Sequence, residues 1–205
     1  MLLEFNRSKE LLEKHSINFA PSEIFSDIAP ALEYVEKIGY PVVAKIWGPD
    51  VLHRTERGGV RLNIKNQEEL VTAFNDLKQI EPGILIQKMA DPGQQVIVGI
   101  KRDKQFGPVI MFGLGGIFVE ILKDVSFRIC PINQKEAMEM IREIKGYPIL
   151  TGARGETPVD IDALAKMIVS ISTLATEEED IKEIDFNPII VSPNGAVAVD
   201  FKFLV

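Results

Sequence analysis

Residues 40–60 read YPVVAKIWGPDVLHRTERGGV, and we treat the rest of the chain as the scaffold for this stretch. Its apolar run at 42–47 predicts a buried strand in which Lys45 is the single charged residue. An ammonium group that is removed from water needs an anionic partner to offset the loss of hydration. We therefore expect Lys45 to face a negatively charged ligand or a carboxylate.

The strand is followed by a long predicted loop, residues 48–59, of a length that is more often functional or disordered than a plain connection. Its glycines let backbone N–H groups approach an anion, and Arg54 and Arg57 beside His53 can hold phosphoryl oxygens. This positive cluster stands in a chain of formal net charge -7, which favours a phosphate-bearing ligand. Two alternatives stay open: Lys45 could reach solvent at a strand end, and His53 could be a solvated loop residue.

Composition limits the class of protein. With 205 residues and 46% hydrophobic content, the chain can bury a core as one domain or as two small lobes. It has no apolar run of membrane-spanning length and no signal-peptide pattern, so we expect a cytoplasmic protein. Its single cysteine, Cys130, excludes an internal disulfide, and a sequence pI near 5.0 without basic runs gives nucleic-acid binding no support. Small anions or other proteins are the partners that remain.

The order of predicted elements indicates an α/β fold, because helices alternate with strands through the first half and strands dominate from residue 94. Asn66 and Asn133, each followed by glutamate at the third position, predict two capped helices. The clearest break in the pattern is at residues 92 and 93. We therefore predict a division into residues 1–92 and 93–205.

The final segment, residues 183–205, reads EIDFNPIIVSPNGAVAVDFKFLV and predicts a β-hairpin. The dipeptide of Asn194 and Gly195 is the preferred pair for a two-residue turn. With that turn, Ile189 would face Asp200 and Asn187 would face Lys202.

This register would place an acidic set on one face of the hairpin. Asn187 and Asp200 would lie diagonally, roughly 7 to 8 Å apart, and Asp185 would share their face. Two carboxylates and an amide oxygen are hard ligands that suit magnesium, which usually keeps waters and nucleotide phosphates in its remaining positions. The alternative is a polar outer face on a half-solvated hairpin.

Together these stretches resemble the ATP-grasp domain in the beta subunit of ADP-forming acetyl-CoA synthetase, also called acetate-CoA ligase. The resemblance covers nearly the whole chain and is carried by GYPVVAK, PDVLHRTERGGV, FGPVIMFGLGGIFVEILKDVSFRICPI, LTGARGETPVDIDAL, and EIDFNPIIV followed by VDFK. It implies an ATP-grasp fold of two lobes, each with a sheet and packed helices. Similar endings occur in the beta subunit of succinyl-CoA synthetase, where the matching asparagine and aspartate hold magnesium.

The resemblance also implies site residues. Lys45 and Arg54 would contact the nucleotide phosphates, Gln87, Lys88 and Met89 would border the adenine, and Asp185, Asn187 and Asp200 would hold Mg²⁺. His53 matches a histidine that carries a phosphoryl group next to the nucleotide. Glu120, a charge on an otherwise apolar predicted strand, would orient His53 or assist the metal.

The expected activity interconverts acyl-CoA, ADP and phosphate with free acid, CoA and ATP. A CoA-binding alpha subunit is implied as partner, in an α₂β₂ assembly, with ATP or ADP and Mg²⁺ as cofactors. Two other readings stay open: another ATP-grasp acid ligase, such as a succinyl-CoA synthetase-like subunit, and a nucleotide-binding regulatory module without turnover. The sequence leaves the acyl group, the direction of flux and the choice between ADP and GDP undetermined.

Overall fold

The computed structural model of the chain describes residues 1–48, 57–116 and 123–205. In chain order its helices and strands are α1 Phe5–Lys14, β1 Ser22–Phe25, α2 Ile28–Ile38, β2 Val42–Trp47, β3 Val60–Ile64, α3 Gln67–Lys78, β4 Gly83–Lys88, β5 Gln94–Asp103, β6 Gly107–Leu114, β7 Val125–Ile129, α4 Gln134–Glu143, α5 Tyr147–Leu150, α6 Ile161–Glu177, β8 Glu183–Ser192, β9 Gly195–Ala198 and β10 Phe201–Leu204. Among the described residues, none of the helices is long and apolar enough to cross a membrane.

The chain divides into two compact units, Ala20–Ala90 and a larger one formed by Met1–Phe19 with Asp91–Val205. The placement of Met1–Phe19 differs from the predicted first lobe, and main-chain pairing explains it. The N–H of Leu3 donates to the carbonyl of Phe203 at 2.9 Å, and the rings of Phe5 and Phe201 stack with their centroids 5.8 Å apart. The first helix therefore belongs with the C-terminal sheet.

The smaller unit is a two-layer α/β structure. Its four strands form an antiparallel sheet in the order β1-β4-β2-β3, and α2 and α3 pack on one face of it. The apolar residues of α3 recur at helical spacing, and Asn66 caps the helix by accepting from the N–H of Glu69 at 2.9 Å, as predicted. Alternation along β2 turns Val42, Ala44 and Ile46 toward these helices, so Val43 and Lys45 lie on the opposite face.

The larger unit is built on an antiparallel sheet in the order β10-β8-β5-β6-β7, with β9 also pairing β8. Helix α4 lies on one face, because the hydroxyl of Ser126 in β7 donates to the carbonyl of Met140 in α4 at 3.0 Å. Fully buried Phe112 and Phe186 share that face. The predicted capping box at Asn133 and Glu136 begins α4 and is present in full.

Candidate functional site

The helix-free face of the smaller unit carries two of the predicted nucleotide residues. Lys45 in β2 faces Leu85 in β4, and Gln87 in β4 faces Val43 in β2, so the two polar side chains are diagonal neighbours. Lys45 is 8% exposed and Gln87 2% exposed. Both side chains are therefore almost completely removed from solvent on this face of the sheet.

Lys88 and Met89 stand at the end of the same strand. The ammonium of Lys88 donates to the carbonyls of Gly39 at 3.1 Å and Tyr40 at 2.9 Å, where the chain leaves α2. The backbone N–H of Met89 donates to the carbonyl of Pro41 at 3.1 Å. In this structure the charge of Lys88 therefore holds the turn that precedes β2. That Lys88 borders the nucleotide stays a prediction.

Three predicted site residues, His53, Arg54 and Glu120, lie outside the described residues. The described end of the basic loop begins at Arg57, whose guanidinium is 4.0 Å from the carboxylate of Glu81. Arg61 donates to the carbonyl of Gly58 at 2.7 Å. Positive charge is thus present where β3 begins, as the sequence indicated.

The acidic hairpin forms, but its turn is one residue earlier than predicted. Ser192 pairs with Gly195, so the loop residues are Pro193 and Asn194. Proline presets the backbone for the second position of a four-residue turn, and the Ser192 hydroxyl accepts from the N–H of Asn194 at 3.1 Å. The predicted pairing through Asn194 and Gly195 is therefore wrong.

The observed register brings the acidic residues closer than predicted. The N–H of Asn187 donates to the carbonyl of Asp200 at 3.1 Å, so these residues face one another directly. Phe186 faces Phe201 and Asp185 faces Lys202. Because the pairing moved by two residues, Asp185, Asn187 and Asp200 keep the shared face that was predicted.

A β-bulge lies at the centre of this set. Val96 of β5 pairs with Ile189 and Val98 pairs with Phe186, so both Asn187 and Pro188 stand opposite Ile97. One strand therefore has an extra residue at the position of the candidate metal ligand. Bulges of this kind re-aim a side chain and are common beside functional sites.

A family model described as an ATP-grasp domain matches residues 1–205. The chain belongs to the ATP-grasp family. It is similar to the beta subunit of ADP-forming acetate-CoA ligase I from Pyrococcus furiosus, with 49% identity over 97% of this chain and 89% of that protein. ADP-forming acetate-CoA ligase I of Archaeoglobus fulgidus is 46% identical over 95% of this chain, which covers only 30% of that longer protein.

This ATP-grasp chain is also similar to a solved structure over its whole length. The dinucleotide-forming acetyl-coenzyme A synthetase 1 of Ca. Korarchaeum cryptofilum superposes with a TM-score of 0.90 and 38% identity, over 100% of this chain and 92% of that one. It contains coenzyme A and Mg-AMPPCP, and its phosphohistidine segment points towards the nucleotide-binding site. The ATP-grasp fold and the resemblance to ADP-forming acetate-CoA ligase beta subunits are thus confirmed.

In the acidic hairpin, burial and the neighbouring charges act on the pKa of Asp185. Partial burial raises the pKa of this carboxyl, the positive charge of Lys202 lowers it, and the negative charge of Asp200 raises it. The side chain keeps contact with solvent, yet the surrounding sheet removes part of its hydration. The negative charge of Asp200 makes ionisation of Asp185 less favourable, so a cation bound beside the two carboxylates would be stabilised.

The side-chain oxygens of Asp185, Asn187 and Asp200 are ligands of the kind that magnesium prefers. Two carboxylates and one amide supply oxygen only, and the open face leaves room for waters and phosphates. Within residues 1–48, 57–116 and 123–205, no group of three or more His, Cys, Asp and Glu is placed to hold a metal ion. The candidate site therefore depends on the amide of Asn187 as its third ligand.

Two residues beside the acidic set, Gly99 and Lys202, were not assigned a role from the sequence. One row crosses the open face of the sheet through paired positions: Lys202, Asp185, Gly99, Met111 and Phe127. Gly99 gives Asp185 a neighbour without a side chain, and the methyl group of Met111 lies over it, 3.3 Å from where a Cβ would stand. A glycine inside an otherwise apolar strand was the available signal for it, whereas the pairing of Lys202 with Asp185 required the correct turn.

Proposed function

We propose that this chain is the nucleotide-binding beta subunit of an ADP-forming acyl-CoA synthetase, with acetate as the first substrate to test. It would act in the conversion of acyl-CoA, ADP and phosphate to free acid, CoA and ATP. The observation that carries the proposal is the direct pairing of Asn187 with Asp200, with Asp185 on the same open face. The names of the relatives, acetate-CoA ligases that form ADP, support the same activity.

We propose one task for each of the candidate residues of the two units. Asp185, Asn187 and Asp200 hold Mg²⁺, Lys45 contacts the nucleotide phosphates, and Gln87 to Met89 border the adenine. When bound, magnesium would neutralise charge on the phosphates and reduce repulsion between donor and acceptor. The place of Lys45 beside Gln87, on the face of β2 away from α2 and α3, supports this role.

His53 is the proposed phosphoryl carrier of this subunit. A terminal oxygen of ADP attacks the phosphorus held on an imidazole nitrogen of His53. The P–N bond breaks as the new P–O bond forms, and the imidazole leaves neutral because its second nitrogen carries the proton. Arg54 and Arg57 offset the charge of the phosphorylated form, and Glu120 orients the imidazole or assists the metal.

The complete reaction needs a CoA-binding alpha subunit, and we propose an α₂β₂ assembly. Relatives in which the matching region is 30% of one long chain support a partner that supplies the remaining steps. Acid specificity then resides mainly in that partner.

The proposal is tested by incubating the chain and its alpha partner with acyl-CoA, radiolabelled phosphate and Mg²⁺. We expect acid-labile label on this chain, discharged to ATP when ADP is added. His53→Ala should abolish both label and ATP formation. His15→Ala is the matched control, because the chain has 2 histidines and His15 lies beside Glu178, 3.5 Å away, in another setting.

The outcomes separate the proposal from its competitors. ATP formation at the normal rate by His53→Ala would exclude the carrier role and favour another type of ATP-grasp ligase. Nucleotide binding without turnover, with any alpha partner and acyl-CoA supplied, would identify a regulatory module instead.

A further inference from the structure

Lys202 occupies a position in the acidic hairpin that the proposed metal site does not explain. It directly faces Asp185 across the β8 and β10 pair, on the same face as Asn187 and Asp200. Its side chain is half-buried, and its positive charge acts on the Asp185 carboxyl. Directly opposed residues have Cβ atoms about 4.5 to 5.5 Å apart, so the Lys202 side chain leaves the sheet beside that of Asp185.

The charges of this cluster define what it can bind. Asp185 and Asp200 together contribute two negative charges and Lys202 one positive charge, so the cluster carries one net negative charge. A magnesium site composed of the carboxylates alone would carry two. Because a divalent cation is attracted by the carboxylates and repelled by the ammonium, the cluster is weaker for a bare metal ion than its acidic residues indicate.

We propose that Lys202 is an internal counter-cation that disfavours metal binding in the absence of nucleotide, so that magnesium enters the site together with the nucleotide phosphates. The inference rests on the proposed function, because it assumes the magnesium site on this hairpin. Nucleotide phosphates bring negative charge that attracts the ammonium. Their arrival therefore offsets the repulsion between Lys202 and the metal. The pairing of Lys202 with Asp185 thus makes metal affinity depend on nucleotide.

The test measures the affinity of the full chain for Mn²⁺ by electron paramagnetic resonance, with and without ADP. Without ADP, Lys202→Gln should bind Mn²⁺ about tenfold more tightly than the wild type, from the Coulomb energy of one removed charge. With ADP present, the gain should shrink to less than about threefold. Lys202→Arg, which keeps the charge, should behave like the wild type in both conditions.

Lys101→Gln is the matched control for net charge. Lys101 lies on the same sheet face, and its ammonium is 3.3 Å from the carboxylate of Glu183, away from the three proposed ligands. This substitution should leave Mn²⁺ affinity unchanged within about twofold, because the pair is exposed and screened. Thermal unfolding of each variant reports any loss of fold separately from the change in affinity.

Two results would overturn the inference, and they are distinguishable. If Asp200→Asn abolishes Mn²⁺ binding but Lys202→Gln binds bare Mn²⁺ no more tightly than the wild type, the counter-cation role is wrong and the metal site stands. If the wild type binds no Mn²⁺ with or without ADP, or if Asp200→Asn binds as the wild type does, the metal site itself fails and the inference fails with it.

Discussion

At the scale of single residues, Lys45 joins the sequence to the proposed chemistry. It is the only charged residue of β2, and it lies on the face away from α2 and α3. A buried ammonium needs an anionic or polar partner to offset its dehydration, and a nucleotide phosphate is one such partner. Its position was predictable because period-two alternation and the apolar run fix which face it occupies.

Replacing Lys45 by Met is expected to weaken ADP and ATP binding about tenfold or more, because a charge-assisted contact to phosphate is lost. The ammonium also has a contact within the folded chain, so the free energy of unfolding has to be compared separately from the affinity. Calorimetric titration and denaturant unfolding measure the two effects. Lys65→Met changes an exposed lysine of the same unit and should alter neither quantity.

Lys88 and the acidic residues show which features of single positions could be predicted from the sequence. The sequence placed Asp185, Asn187 and Asp200 on one face because a shift of two residues preserves alternation. It could not give their pairing, since the preference of Asn and Gly for a turn competed with the serine and proline before them. The contact of Lys88 with two carbonyls depends on the path of the chain after α2, which no local pattern encodes.

At the scale of elements, the C-terminal end of α6 depends on cations from other elements. Its last turn contains no basic residue of its own, although the carbonyl end of a helix favours positive charge. The guanidinium of Arg102 in β5 donates to the carbonyls of Ala175 at 2.7 Å, Glu178 at 3.3 Å and Ile181 at 3.2 Å. One side chain therefore bonds to the carbonyl of Ala175 in the last turn of the helix and to two carbonyls of the segment that follows.

Substitution of Arg102 by Met should lower the free energy of unfolding by about 2 to 3 kcal/mol, because charged hydrogen bonds to partly buried carbonyls are lost. Denaturant unfolding at neutral pH measures the change. Lys101→Met, at the neighbouring position of the same strand, should stay within about 0.5 kcal/mol of the wild type. Equal losses in the two variants would show that the three carbonyl contacts contribute nothing specific.

The pH dependence of this helix end is set by Glu178. The ammonium of Lys14, 2.6 Å away, lowers the pKa of the Glu178 carboxyl, and His15 adds to the effect. A lowered folded pKa means stability that is present above the ordinary glutamate pKa and is lost as pH falls through the folded value. Glu178→Gln should therefore be less stable than the wild type near neutral pH, by up to about 1 kcal/mol for this partly exposed pair.

As the pH falls through the folded pKa of Glu178, which lies below the ordinary glutamate value, the difference between Glu178→Gln and the wild type should vanish, because the carboxylate becomes protonated. Thermal unfolding followed across the acidic range provides the measurement. Glu177→Gln is the control, since Glu177 is 54% exposed and 4.0 Å from His15. A difference that persists unchanged at acidic pH would assign the effect to packing and not to charge. The sequence pattern around Glu178 does not reveal these contacts, because the partners come from α1 and β5.

At the scale of the whole molecule, the chain has two cores. Phe74 lies in the core of Ala20–Ala90, and Phe112 lies in the core of the larger unit. The alternation of helices and strands predicted this class of fold. The grouping of Met1–Phe19 with the larger unit was not predictable from a boundary signal, because it depends on main-chain pairing between the two ends of the sequence.

A cavity made by substitution in one core should destabilise mainly the unit that contains that core. Phe74→Ala is expected to cost about 3 to 5 kcal/mol and to raise amide hydrogen exchange mainly within residues 20–90. Phe112→Ala should raise exchange mainly within the described part of residues 91–205. Mass spectrometry of exchanged peptides compares the two variants, and each is the control for the other. Uniform acceleration across both units in either variant would indicate a single cooperative unfolding unit.

The extra residue of β8 opposite Ile97 has a consequence for how this chain tolerates changes in length. The strand keeps step with β9 and β10 along one edge and falls out of step with β5 along the other. A shift of β8 by one residue would align part of it with β5 but would misalign it with β9 and β10. The strands on the two sides of β8 together therefore allow only one register. Single-residue insertions or deletions should therefore be far less acceptable between positions 184 and 191 than conservative replacements there.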